Sequence, residues 1–424
     1  MRKTLVVAML FIVLFQTLTV NAAQKNLDAI KAPTYMLVDG TTDSVMLEEN
    51  CNVSIGVNNF AKIMTAILAI EKLNPDQSVP FTEETHLFFN SYGNLAGAKP
   101  GTVFTVRQHL QNMMLLYSDA SALTLAVAHS GSEKAFVAEM NKKADEIGLR
   151  KTHFSSPDGR ADQRANTTPA DLYKLFKYAM GLPLFQEVTG TELFELPTES
   201  GVDNFSSRNH LISSYTYGFC NYSTAKSAVV AYTEKNASLI AVAEQSGKLI
   251  YGLVLNTPDD STKVYIDMIN LFEHGFNDFR SVVLAKKGAF LKQVPVKGAL
   301  ASNAVLVAAK DVAALLPYDY DVELITSEID APEELHATVK KDETLGYVTY
   351  SYNGNELAKC AIVSEKKIPF SVFSGVYHLF AKINTWLLLV VIVVAFFSFD
   401  RYRKKQRKRE ELRRKKREIM ENEE

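Results

Sequence analysis

Lys62 is the residue of this chain that most invites a chemical reading. It lies in the first turn of a predicted helix, within VNNFAKIMTAILAIEKL (Val57 to Leu73). Phe60, Ile63, Met64, Ile67 and Ile70 recur there at helical spacing, and Pro75 closes the run. A first turn favours negative charge because the helix dipole is positive there, so a cation among apolar neighbours calls for a purpose. A lysine can take a proton from a hydroxyl one turn away, since residues three apart on a helix share a face. The residue three before Lys62, however, is Asn59. Its amide nitrogen has a delocalised lone pair and no accessible anion near neutral pH, so it cannot serve as a nucleophile. The pattern S-x-x-K itself occurs twice, at Ser223 to Lys226 and at Ser364 to Lys367. Neither opens a predicted helix, and in a strand residues three apart face opposite sides. Two matches are what chance gives for so short a pattern.

Metal and disulfide chemistry find no pattern. Cys51, Cys220 and Cys360 are odd in number, widely spaced and form no C-x-x-C. The eight histidines include no H-E-x-x-H pair. No cofactor and no metal is expected.

Composition, with 47% hydrophobic and 22% charged residues, is that of a globular protein, and 424 residues suffice for two or three domains. The net charge of −2 hides a polarity. Residues 401–424 carry twelve Lys/Arg and six Glu, whereas residues 4–400 sum to −10. An acidic body argues against nucleic acid as its partner.

Both ends read as targeting segments. Arg2, Lys3, the apolar LVVAMLFIVLF and the small-residue stretch Val20-Asn21-Ala22 make residues 1–23 a predicted signal peptide. Ile383 to Phe399 holds no charge and is about the minimum length that spans a bilayer. Trp386 suits an interface, and Arg401, Arg403, Lys404 and Lys405 follow directly. That asymmetry predicts a single-pass helix over 383–399, with a basic cytoplasmic tail over 400–424 and the bulk of the chain outside.

Between these ends the periodicity changes twice. PTYMLVDG and SVMLEEN read as two strands around a turn. VRQHLQNMMLLY, ASALTLAVAH and EKAFVAEMNKKADEIG read as helices, and Thr168-Pro169-Ala170-Asp171 as a helix start. SAVVAYTE, ASLIAVAEQ and KLIYGLVLN read as antiparallel strands separated by Lys235-Asn236 and Ser246-Gly247. The helix VYIDMINLFEHGF follows, then a strand-rich stretch to Ile368, then PFSVFSGVYHLFAK as an amphipathic lead to the apolar run.

This order of parts resembles the D-alanyl-D-alanine carboxypeptidases, the low-molecular-mass penicillin-binding proteins. KIMTAILAIEKL resembles the family's first catalytic helix, and GTVFTVRQHLQNMMLLYS the approach to its second motif. GSEKAFVAEMNKKADEIGLRKTHFSSPDG with TTPADL resembles the stretch that follows, and YTEKNASLIAVAEQSGKLIYGLVL its last strand pair. The resemblance implies an α/β (α+β) penicillin-binding domain over 24–280, a small all-β domain over 281–368, an amphipathic juxtamembrane segment over 369–382 and the helix over 383–399.

The family's chemistry rests on S-x-x-K, S-x-N and K-T-G. The resemblance makes Lys62 the lysine of the first motif, with Asn59 at the serine position. The second motif's position holds Tyr117-Ser118-Asp119, and the third's holds Val229-Val230-Ala231. All three motifs are changed. Asp119 reads either as a partner that neutralises Lys62 or as a solvated turn residue, and Tyr117 as packing in the vacated cleft. Lys226, three residues before the third motif, and Lys248, where the family often has a basic residue near the substrate carboxylate, join Lys62 as substrate-binding candidates. Lys248 reads equally as an exposed strand-end lysine.

Two functions follow. The first is an exported, membrane-anchored family member at the cell wall that lacks catalysis, and binds peptidoglycan stem peptides or another wall protein. The second is an active carboxypeptidase that removes the terminal D-Ala with a displaced nucleophile, Ser118, Ser121 or Ser223. The loss of all three motifs favours the first.

Overall fold

A computed structural model describes residue 27 and residues 29–86, 97–160, 162–214, 220–258 and 262–421. The signal peptide expected over 1–23 lies outside the described residues. The chain divides into two units. One comprises residues 1–284, 313–326 and 350–358, and the other the remainder.

In the first unit, β1 (Thr34–Asp39) and β2 (Val45–Glu49) form a hairpin, and α1 (Ala61–Lys72) follows a single 3-10 turn at Asn58–Phe60. The next helices start where their sequences supply caps. At α2 (Val106–Leu115), Thr105 and Gln108 satisfy each other's backbone N–H groups reciprocally. Ser118 caps α3 (Asp119–Ser130) by accepting from the Ser121 N–H, and Ser132 caps α4 (Glu133–Glu146). Thr168 caps α5 (Pro169–Met180), with Pro169 in the first turn, where its missing N–H costs nothing. Then come β3 (Ala225–Tyr232), β4 (Asn236–Gln245), β5 (Lys248–Pro258) and α6 (Lys263–Asp278).

These strands form a five-stranded sheet in the order β2-β1-β5-β4-β3, so β3 is an edge strand. Pairing is antiparallel throughout, with Leu37 opposite Gly252, Ala241 opposite Gly252 on the other side, and Leu239 opposite Val230. Strand alternation sends Val229, Ala231, Ile240 and Leu253 to one face, where they pack with Ile63, Met64 and Ile67 of α1 and with Phe136 and Phe176. Val230, Leu239 and Val254 face the other way, onto Met268, Leu271 and Phe272 of α6. Gly252 permits that close approach, because a Cβ there would lie 2.6 Å from the Met268 sulfur. Every residue from Ala61 to Ala69 is buried. Helix α1 is thus the central helix, and Lys62 sits on it inside the protein.

The second unit is strand-rich up to its final helix. β6 (Phe290–Lys297) pairs antiparallel with β7 (Asn303–Ala308), and β7 pairs with β8 (Asn355–Ser364) at Leu306–Ser364, Val307–Val363 and Ala308–Ile362. The short Leu335–His336 segment runs parallel to β6. The unit ends in α7 (Ser374–Glu421), a single helix of 48 residues. The predicted span over Ile383 to Phe399 lies within α7. Among the described residues no helix is long and apolar enough to cross a membrane, so a spanning role for this run remains a proposal, taken up below. The side chains of residues 374–385, 388 and 415–421 lie outside the description.

Candidate functional site

Asn59 occupies the 3-10 turn that precedes α1, and Lys62 follows in the helix's first turn. The turn is held from behind. Gly159, at φ +79°, packs so tightly that a Cβ would stand 1.7 Å from the Asn58 carbonyl oxygen, and the Thr65 hydroxyl donates to the Pro157 carbonyl at 2.7 Å. Asp158, almost wholly buried, accepts from Arg160 Nε at 3.1 Å, and Arg160 also pairs with Glu133 at 2.9 Å. The loop behind the turn that carries Asn59 is therefore closely packed and well hydrogen-bonded.

Lys62 is 2% exposed. Its ammonium donates to Asn59 Oδ1 at 3.1 Å and to Asp119 Oδ1 at 2.6 Å. Asp119 opens α3, where the positive end of the helix also favours its charge. Two of the ammonium's three donors thus end on the Asn59 amide and the Asp119 carboxylate. A lysine so held supplies a charge and a pair of hydrogen bonds.

The second and third motif positions close the space with rings and aliphatic chains. Tyr117 adopts φ +62°, an uncommon conformation for an aromatic residue. Its ring meets Tyr232 edge to face at 5.9 Å and lies 5.9 Å from the Arg208 guanidinium. The ring keeps some exposure, but its hydroxyl is buried, and burial, followed by the neighbouring Tyr232, pushes its pKa well above the ordinary phenol value. Beyond it the Tyr232 and Tyr265 hydroxyls are 2.9 Å apart, and the His210 ring packs on Tyr265 at 5.3 Å. Val229, at the cation position of the third motif, is buried against the α1 side of the core, with Val230 and Ala231 equally buried.

The other expected cations are engaged away from the motif positions. Lys226 is exposed and pairs with Glu244 of the adjacent strand at 3.6 Å, a surface pair of small worth. Lys248 donates to the Phe276 carbonyl at 2.6 Å and to the Phe279 carbonyl, and lies 5.8 Å from the Tyr318 ring. It caps the carbonyl end of α6, and burial lowers its pKa. Of the three substrate-binding candidates, only Lys62 stands at the motif positions.

The displaced-nucleophile candidates separate equally clearly. Ser118 is fully buried as the cap of α3, and Ser223 is exposed in the turn before β3. Ser121 is fully buried and lies 3.2 Å from His109 Nδ1, while accepting from Asn112 Nδ2 at 2.9 Å. His109 Nε2 faces the Val79 carbonyl at 3.0 Å, so Nε2 carries the proton and Nδ1 accepts from the serine. This is the arrangement of a serine with its base, but both residues are 0% exposed, and burial lowers the imidazole pKa to about 4. Sequence reading did not find the pair, because His109 and Ser121 sit on different helices at a spacing no periodicity marks.

A cavity of about 900 Å³ lies elsewhere in the first unit, lined by Met36, Val38, Tyr173, Lys177 and Leu182 among others, and by none of the motif residues. Among the described residues no group of three or more His, Cys, Asp or Glu side chains is placed to hold a metal ion.

Comparison with known proteins agrees with this architecture. Residues 19–258 match the D-alanyl-D-alanine carboxypeptidase family, and residues 279–369 match the C-terminal domain of penicillin-binding protein 5. The D-alanyl-D-alanine carboxypeptidase DacF of Bacillus subtilis is 23% identical over 358 residues, covering 81% of this chain and 88% of its own. A Streptomyces D-alanyl-D-alanine carboxypeptidase is 29% identical over 268 residues, 56% of this chain and 88% of its own. Among solved structures, penicillin-binding protein 5 of Haemophilus influenzae superposes with a TM-score of 0.67 at 18% identity, over 80% of this chain and 98% of that one. An α/β penicillin-binding domain followed by a β domain, in this order and over this length, places the chain in the D-alanyl-D-alanine carboxypeptidase family of low-molecular-mass penicillin-binding proteins.

Proposed function

We propose that this protein works at peptidoglycan as a non-catalytic member of its family, holding stem peptides or another wall protein. The observation that carries the reading is the Lys62 ammonium, shared between Asn59 and Asp119. The one position carries an amide in place of a hydroxyl, and the other sets a carboxylate 2.6 Å from the lysine. Val229 and the Tyr117–Tyr232 contact support it, since they fill the places of the remaining catalytic groups. The alternative, turnover by a displaced serine, is left with Ser223 as its accessible candidate, because Ser118 and Ser121 are sealed.

The proposed chain architecture follows the sequence: a removed segment over 1–23, a penicillin-binding domain over 24–280, a β domain over 281–368, and a juxtamembrane segment over 369–382. An anchor over 383–399 and a cytoplasmic basic tail over 400–424 complete it. Trp386, the charge-free run and the basic residues that follow support that topology. The test is binding without turnover. Calorimetric titration with a pentapeptide stem ending in D-Ala-D-Ala is expected to show saturable heat while no free D-alanine accumulates. Release of D-alanine at a rate above that of the buffer would overturn the reading.

A further inference from the structure

The β domain carries an apolar and basic edge that is exposed among the described residues. Leu300 is 55% exposed, and Phe370, Val372 and Phe373 are 59%, 76% and 70% exposed. These residues belong to one surface. The Ser371 N–H donates to the Gly298 carbonyl at 2.9 Å, and a Cβ on Gly298 would meet the Phe370 ring at 3.3 Å. The segment is held firmly enough to present a shape, since Ile368 and Val339 exchange backbone hydrogen bonds of 2.9 and 3.0 Å. Beside it opens a cavity of about 310 Å³, lined by Leu300, Ile368 and Pro369 together with Lys366 and Lys367. Glu365 also lines it and lies 3.8 Å from the Lys366 ammonium, an exposed pair that leaves the lysine available.

We infer that this edge of the β domain is a docking surface for an anionic phospholipid membrane. Large exposed apolar side chains in a cluster mark an interaction surface, and two features name the occupant. Two lysines against one glutamate give the charge that an anionic leaflet attracts. The patch also runs directly into α7, on which Trp386, Leu387 and Val390 are exposed in turn. Phe370, Val372, Phe373 and Leu300 would enter the boundary between headgroups and acyl chains, while Lys366 and Lys367 lie over them with their ammonium groups at the phosphates. The inference rests on the reading that the chain is attached through residues 383–399, and it adds that the β domain itself sits on the lipid.

The full chain, reconstituted in vesicles of phosphatidylglycerol and phosphatidylcholine, tests this. Single variants Leu300→Cys, Val372→Cys, Tyr347→Cys and Val391→Cys would each carry an environment-sensitive fluorophore. The native cysteines are buried and stay unlabelled. A quencher attached to the lipid acyl chains is expected to quench labels at 300 and 372 several-fold more than the label at 347. Lys366→Glu combined with Lys367→Glu should abolish that difference, as should vesicles of phosphatidylcholine alone. If the label at 391 is quenched but those at 300 and 372 match 347, the anchor stands and the docking surface is refuted. If labels at 300 and 372 are shielded from water yet unreached by the lipid quencher, a protein covers the patch and the proposal is equally overturned. Absence of quenching at 391 would overturn the anchor on which the surface rests, and the proposal with it.

Discussion

The Lys62 ammonium lies 2.6 Å from Asp119 Oδ1, at the start of a different helix and 57 residues along the chain. In a buried setting such a pair holds together only while both partners are present. Removing one leaves an uncompensated charge, at a cost of several kcal/mol for fully buried pairs. Asp119 keeps 28% side-chain exposure and Lys62 only 3%, so solvent moderates the penalty at one end.

Asp119→Ala is therefore expected to lower stability by about 2–3 kcal/mol. Lys62→Met, which removes the buried charge and keeps the volume, should cost less. Urea unfolding of the two variants decides between them, and equal losses would mean that the pair contributes shape and not charge.

Asn59→Ser alone should leave hydrolysis of a D-Ala-D-Ala peptide at background. The new hydroxyl would face an ammonium already held by Asp119, and Val229 would still occupy the third motif's cation position. Assay of released D-alanine checks this, and turnover by the single variant would show that the other two motif positions are dispensable.

His109 makes stability depend on pH. Its folded-state pKa is lowered to about 4 by burial, while an unfolded histidine titrates near 6.5. Between those values the unfolded chain binds a proton that the folded ring refuses. The contribution is complete above about pH 6.5 and is lost progressively as pH falls towards 4, amounting to roughly 3 kcal/mol. Denaturation midpoints across that window should fall for the native protein and fall distinctly less for His109→Gln. Parallel curves would place the titration elsewhere.

Ser121→Ala should cost about 1–3 kcal/mol by leaving His109 Nδ1 and Asn112 Nδ2 without their shared partner inside the core. It should leave ligand binding unchanged. A variant that stays folded yet loses a catalytic activity would instead identify Ser121 as a working nucleophile.

Local chemistry made much of the fold readable. Thr168 announces a helix start by cap preference and caps α5 in the structure, whereas the cap at Ser118 of α3 went unread. The turns at Lys235-Asn236 and Ser246-Gly247 separate three strands that pair antiparallel. The motif positions at Asn59, Tyr117 and Val229 rest on counting from neighbouring stretches, not on the residues themselves. The side-chain partnerships were less accessible. Tyr232 and Tyr265 meet from a strand and a helix 33 residues apart, and Lys248 caps a helix 28 residues downstream. Such contacts depend on how α6 lies on the sheet, and no periodicity within either segment encodes that.

The most direct test of the account is the intact mass of the detergent-solubilised full chain after incubation with a labelled penicillin. A catalytically competent family site would be acylated, whereas the paired Lys62 and the amide of Asn59 predict an unchanged mass from folded protein. A gain of one acyl group, mapped by peptide analysis to Ser223 or any other serine, would contradict the central claim and establish a displaced nucleophile.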